Sequence, residues 1–193
     1  MRKIFVIGLS LLFASVGIAQ EHGERPVPKP SVIPQTQTAG QRYISDAGRY
    51  SVRMPSEPKL SSQNTTGPTG EQFTQYIAMA ADSTMLFMVG YFDYSSNIVF
   101  NLDKARDGMI DSIKGTLLDN QAISLGGKPG QQVRISGTTD EGVDFVERAR
   151  FYDINPRVYV LQCIVFKSQD SPAAADRCEQ FFDSFRVRAA GPG

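Results

Sequence analysis

The chain has 193 residues, of which 41% are hydrophobic and 21% charged, and its formal net charge is zero. That length suits one domain with appendages, and the apolar content is enough for a core, which excludes a wholly disordered chain. The balanced charge gives no global attraction to nucleic acid or to an anionic membrane surface, so neither is an expected partner.

The N-terminus reads as a secretory leader. Met1, Arg2 and Lys3 make a basic start, residues 4–16 are apolar or small, and Gly17, Ile18 and Ala19 place small residues before Gln20. This pattern marks residues 1–19 as a signal peptide cleaved after Ala19. The apolar run is too short for a comfortable membrane span. No cysteine follows it, which argues against a lipid anchor. Cleavage removes Arg2 and Lys3 and leaves a net charge of −2. The expected destination is secreted or periplasmic, with no span left in the mature chain. Residues 20–42 carry Pro26, Pro28, Pro30 and Pro34 among Gln and Thr and read as an extended, disordered linker.

A single domain is expected over residues 43–189, with a frayed tail at 190–193. Residues 48–55 alternate, with Tyr50, Val52 and Met54 on one side, and predict a half-buried strand ended by Pro55. Residues 56–70 are rich in Ser, Thr, Pro and Gly and read as a loop; Asn64, Thr65 and Thr66 fit a glycosylation sequon within it. Two strands follow, 71–80 and 84–94, joined at Asp82 and Ser83. The second is apolar on both faces, the mark of a central strand covered on both sides.

Asn101 is a good N-cap, and Leu102, Ala105, Met109, Ile110, Ile113 and Leu117 fall at helical spacing. Gly115 ends this helix or sits in its last turn. Residues 120–125 predict a short strand and residues 126–130 a turn. Strands at 131–137, 143–154 and 157–167 follow, the first two joined by a hairpin loop at 138–142. The stretch 159–166 is again apolar on both faces. Ser171 and Pro172 open a closing helix that runs to Phe185, with Ala174, Cys178, Phe181 and Phe185 on one side. Residues 185–188 add a short last strand.

The chain resembles the PsbP/Mog1-like superfamily, in particular its uncharacterised bacterial envelope branch. The resemblance rests on Gly48-Arg49-Tyr50-Ser51-Val52-Arg53-Met54-Pro55 opening the domain, the mid-chain helix, the Gly126-Gly127-Lys128-Pro129-Gly130 turn, the long hairpins and the closing Gln180-Phe181-Phe182-Asp183-Ser184-Phe185-Arg186-Val187. It covers residues 43–188. It implies an α+β fold, an α/β/α sandwich whose mostly antiparallel central sheet has about six to seven strands with helices on both faces. It also implies a largely non-enzymatic role, because members include photosystem accessory subunits and a regulator of a small GTPase. No functional residue of the family carries over to a position here.

The chemistry looked for in the domain is sparse. His22, the one histidine, lies in the linker, which excludes Ser-His-Asp and Cys-His catalysis and imidazole-built zinc sites in the domain. The glycines at 126–130 precede a strand and lack the spacing of a phosphate loop. No cofactor and no metal are expected. Cys163 and Cys178 are either a disulfide or two buried thiols. Asp140, Glu141 and Asp144 at a hairpin tip, and Asp103, Asp107 and Asp111 along a helix, read as solvated surface. Arg134, Arg148, Arg150 and Tyr152 can share a sheet face and form a patch for an acidic partner or an anion. Alternatively the arginines pair across strands, with Arg134 facing Glu147.

These features point to a secreted or periplasmic, non-enzymatic binding or accessory protein that acts on an envelope protein or a small ligand. One alternative is a glycan hydrolase that uses carboxylates alone. Another is a hydrophobic-ligand carrier with Phe87, Phe92, Tyr159 and Phe166 lining a cavity.

Overall fold

A computed structural model of the chain describes residues 3–5, 40–66, 72–95 and 98–188. The expected signal peptide and linker lie outside the described residues except at Lys3–Phe5 and from residue 40 onward, and the tail at 190–193 lies outside them as well. The strands are β1 (Lys3–Phe5), β2 (Gln41–Ser45), β3 (Tyr50–Met54), β4 (Lys59–Thr66), β5 (Gln72–Ala81), β6 (Met85–Asp93), β7 (Ile98–Phe100), β8 (Thr116–Leu125), β9 (Lys128–Thr138), β10 (Asp144–Ile154), β11 (Arg157–Phe166) and β12 (Arg186–Val187). The helices are α1 (Leu102–Ser112) and α2 (Pro172–Ser184), with a single 3-10 turn at Lys167–Gln169.

Seven strands form one sheet in the order β4-β5-β6-β11-β10-β9-β8, and every neighbouring pair in it is antiparallel. β12, β3 and β2 form a separate three-stranded sheet, and β1 lies parallel to β7. The strand over 50–54 was therefore rightly expected, but it does not join the large sheet. Its alternating Tyr50, Val52 and Met54 are buried against that sheet instead.

β6 and β11, the two strands apolar on both faces, pair with each other near the middle of the sheet. Side chains alternate along a strand, so the two faces carry separate cores. On one face Tyr159, Leu161, Cys163 and Val165 of β11 pack with Ala174, Cys178, Phe181 and Phe182 of α2 and with β3. On the other, Val158, Val160 and Ile164 pack with Ala105, Met109 and Ile113 at α1. Full burial of such aliphatic and aromatic side chains stabilises by roughly 1.5–3 kcal/mol each.

Both helices begin as expected. The Asn101 side chain accepts from the Lys104 N–H at 3.0 Å, and the Ser171 hydroxyl accepts from the Ala174 N–H at 3.3 Å. α1 ends differently. The Lys114 N–H donates to the Asp111 carbonyl and the Gly115 N–H to the Ile110 carbonyl, and Lys114 itself takes the left-handed conformation at φ 49. This is a Schellman ending with lysine where glycine is usual. Gly115 is fixed for another reason: a Cβ there would lie 2.8 Å from the Ser136 carbonyl oxygen and from the Ile135 side chain.

Because α1 stops there, Leu117 belongs to β8 and is exposed, not part of the helical stripe. β8 is also longer than the expected 120–125. A bulge between Leu117 and Asp119 breaks the alternation that would have revealed its start. Residues 56–70, expected as a loop, contain β4, an eight-residue edge strand on β5. Its Ser, Gln, Asn and Thr side chains give it no apolar period.

Candidate binding surfaces

The structure joins Cys163 to Cys178, with Cα atoms 5.8 Å apart, and both side chains are fully buried. Cys163 sits mid-β11 on the α2 side of the sheet, and Cys178 lies on the apolar stripe of α2. The reading as two free thiols is thereby set aside. The bond fastens the closing helix to a central strand.

The arginine patch forms on the same face, with other partners than expected. The five residues between β9 and β10 bring Thr138 opposite Asp144, so Arg134 lies opposite Arg148 and Glu147 lies opposite Ile135. A shift of one position puts Arg134 on the face of Arg148 and leaves Glu147 on the other. Arg134 and Arg148 converge instead on Asp170, just before α2, donating through Nη2 at 2.6 and 2.7 Å. Burial pushes the Asp170 carboxyl up, but the hydrogen bonds and charges of Arg148 and Arg134 outweigh it and hold the carboxyl below its ordinary value.

Arg150 donates to Gln132 at 2.6 Å, to Asp183 at 3.0 Å and to Glu179, with its guanidinium 4.8 Å from the Phe182 ring centre. Tyr152 is buried and stacks on Phe185 at 6.2 Å, so it contributes to the core and not to an exposed patch. Three arginines are thus answered by Asp170, Glu179 and Asp183. The cluster works as a clamp between sheet and α2, with little net charge left to attract an anion.

Glu147 emerges as the fully buried carboxyl of the described residues. It faces the α1 side of the sheet, where Gln162 Nε2 donates to its Oε1 at 2.7 Å. Its Oε2 has no partner among the described residues. Burial pushes its pKa up to about 7, and the bond from Gln162 offsets only part of that. The acids singled out from the sequence lie apart from it. Asp103 and Asp107 both accept from Arg106 on α1, and Asp144 accepts from Thr138. Among the described residues no cluster of three or more His, Cys, Asp or Glu side chains could hold a metal ion.

The four aromatic residues of the carrier reading do not share a cavity. Phe87 and Tyr159 lie in the core on the α2 side, Phe92 lies in the core on the α1 side, and Phe166 is exposed.

A tyrosine wall went unread in the sequence, because its members come from four separate strands. Tyr43, Tyr50, Tyr91 and Tyr159 meet edge to face or tilted, with ring centres 6.0–6.4 Å apart. Tyr76 stacks on Tyr91 at 5.0 Å and is 45% exposed. The Arg157 guanidinium lies 4.6 Å from the Tyr91 ring centre and grips both oxygens of Asp93 at 2.6 and 2.7 Å. Burial raises the pKa of Tyr50, Tyr91 and Tyr159, so these hydroxyls stay protonated. Leu60, 67% exposed, lies opposite Ala78 on the same side of the β4–β5 pair as Tyr76. Together they make an exposed apolar and aromatic patch near one edge of the large sheet.

Taken with its neighbours of known structure, the chain has a PsbP-like fold, mostly antiparallel β with two helices. It is similar to cyanobacterial PsbP (CyanoP) from Synechocystis, with a TM-score of 0.54, 12% identity, and coverage of 82% of this chain and 98% of that one. It is also similar to a Pseudomonas aeruginosa protein of unknown function, with a TM-score of 0.48, 12% identity, and coverage of 77% and 97%. A Bacteroides thetaiotaomicron protein gives a TM-score of 0.46 at 15% identity over 80% of this chain and 51% of that one. No protein-family model and no curated protein matches the sequence.

Proposed function

We propose that this is a non-enzymatic accessory protein of the secreted or periplasmic space that binds an envelope protein through the Leu60–Tyr76 patch. The observation that carries the reading is the exposure of that patch. Tyr76 is rigidly backed by Tyr91 and Arg157, and rigid, half-exposed tyrosines beside apolar neighbours are the side chains that anchor protein interfaces. The charged groups first suspected of binding are instead spent on holding α2 to the sheet. The leader-like N-terminus and the disulfide support the compartment, since disulfides persist where the medium is oxidising. Among the described residues no helix is long and apolar enough to cross a membrane.

We read the arrangement of the layers as an α/β/α sandwich of the PsbP/Mog1-like kind. The separation of the two cores, with α1 in one and α2 in the other, favours that reading. The PsbP-like fold by itself says little of function, because one fold hosts many roles.

The test replaces Tyr76 with a photo-crosslinking phenylalanine analogue in the native host, with Leu60→Ser as the control. The expected result is one discrete crosslinked protein from the envelope fraction that the Leu60→Ser background loses. Absence of any crosslinked protein, or recovery of this protein from the cytoplasm, would overturn the reading.

A further inference from the structure

We propose that β8 is a self-association edge, along which two copies of this chain join antiparallel into one continuous sheet. β8 closes the large sheet at the end opposite β4, so among the described residues it is paired on one side only, to β9. From Thr116 to Gln121 every residue is exposed, on both faces of the strand. Leu117 and Leu118 are 38% and 47% exposed. Open edges are normally blunted by lysine, proline or short length. β8 is ten residues long and contains neither lysine nor proline; its guards are the bulge after Leu117 and the single charge of Asp119. The opposite edge strand, β4, starts with Lys59 and is polar but for the exposed Leu60.

The sequence of β8 fits a second copy of itself. Facing residues in an antiparallel pair must lie on the same side of the sheet. The regular part of β8, Asp119–Leu125, therefore self-pairs about its own centre, Ala122. In that register Ala122 meets its twin, Asn120 meets Ser124, Gln121 meets Ile123 and Asp119 meets Leu125. Asp119 is the strand's one charge, and it already accepts from Gln121 at 3.2 Å. The twofold keeps the two Asp119 side chains about 20 Å apart, at roughly 3.3 Å per residue, so no like charges face each other. Leu117 and Leu118 of one copy then come over Gly126 and Gly127 of the other. Those turn glycines, at φ +57 and +76, have no neighbouring atom within 4 Å of a built Cβ, which leaves room for the leucines. The arrangement is isologous, so it closes as a dimer and does not grow into a fibre.

This proposal does not rest on the role of the Leu60–Tyr76 patch. If both hold, the dimer carries its two patches at the far ends of the joined sheet and binds bivalently.

Sedimentation of the full chain, with its disulfide intact, tests it. The wild type is expected to show a monomer–dimer equilibrium. Leu118→Lys, at an exposed position, is expected to weaken association by at least about tenfold, with an unchanged thermal melt at concentrations where both proteins are monomeric. On mild oxidation, Ala122→Cys is expected to form a covalent dimer, because facing Cα atoms in an antiparallel pair stand about 4.5–5.5 Å apart, within disulfide reach. Asn120→Cys, which faces Ser124, is expected not to. The buried Cys163–Cys178 pair stays out of the exchange. A wild type that is monomeric at all concentrations would overturn the proposal. So would a dimer that Leu118→Lys leaves intact, or one in which Ala122→Cys crosslinks no better than Asn120→Cys.

Discussion

The two faces of the large sheet are held by different means. On the α2 side, the helix is tied to β11 by a disulfide, to β10 by Arg150 with Glu179 and Asp183, and to the β5–β6 turn by Arg177 with Asp82. Asp170 at its entrance holds Arg134 and Arg148. On the α1 side the contacts among the described residues are apolar but for a polar tie from Gln131 to Asp103 at 2.9 Å. Beneath them lies Glu147, fully buried, with one oxygen unpartnered. The difference teaches where this fold can yield. A directional, covalently closed face resists opening, whereas a face held by burial over a half-partnered acid has a built-in weak point.

Five variants sharpen or break that comparison. The largest loss is expected from Asp170→Ala, which leaves two guanidinium groups without their shared carboxylate. Removing one partner of a buried ion pair costs roughly 3–5 kcal/mol, and the 43% exposure of Arg134 places this case at the low end. Urea denaturation measures it, and a loss under about 1 kcal/mol would mean the cluster behaves as ordinary surface.

Replacing both Cys163 and Cys178 by Ala opens a loop with a sequence separation of 15. The expected cost is about 3 kcal/mol, read as a lower urea midpoint that matches that of the reduced wild type.

Glu147→Gln is expected to stabilise, and only at neutral to alkaline pH. The folded state raises this carboxyl from 4.5 to about 7 and so binds its proton more tightly than the unfolded chain does. Stability therefore falls as pH rises from about 4.5 through about 7, and the full penalty is present above that. Removing the acid should restore on the order of 3 kcal/mol at pH 8 and almost nothing at pH 4. A gain that is the same at both pH values would show that Glu147 does not titrate as described.

The smallest effects belong to the caps. Ser171→Ala and Asn101→Ala should each cost about 1 kcal/mol. Their effects on local protection are expected to differ, because α2 keeps its other ties and α1 has few.

Much of the fold could be read before the structure. The doubly apolar β6 and β11, both helix starts and the alternation of β3 follow from local period and capping chemistry, which act within a few residues. What escaped depends on contacts distant in sequence. β4 has no apolar face to advertise it and is defined by pairing with β5. The β9–β10 register turned on whether the loop held an even or an odd number of residues, and that choice put Arg134 on the face of Arg148 instead of the face of Glu147. Asp170, which answers Arg134 and Arg148, lies 36 and 22 residues from them, and no local pattern links the three. The tyrosine wall is likewise assembled from separate strands. Of the expected site residues, the cysteine pair formed, the three arginines came to one face, and Tyr152 went to the core.

The most direct test of the unequal faces is hydrogen exchange on the native protein at pH 5 and pH 8, corrected for intrinsic rates. α2 and β11 should stay protected at both pH values, while α1 and the β10 segment around Glu147 should lose protection at pH 8 and regain it in Glu147→Gln. Equal protection of α1 and α2 at both pH values would contradict the account.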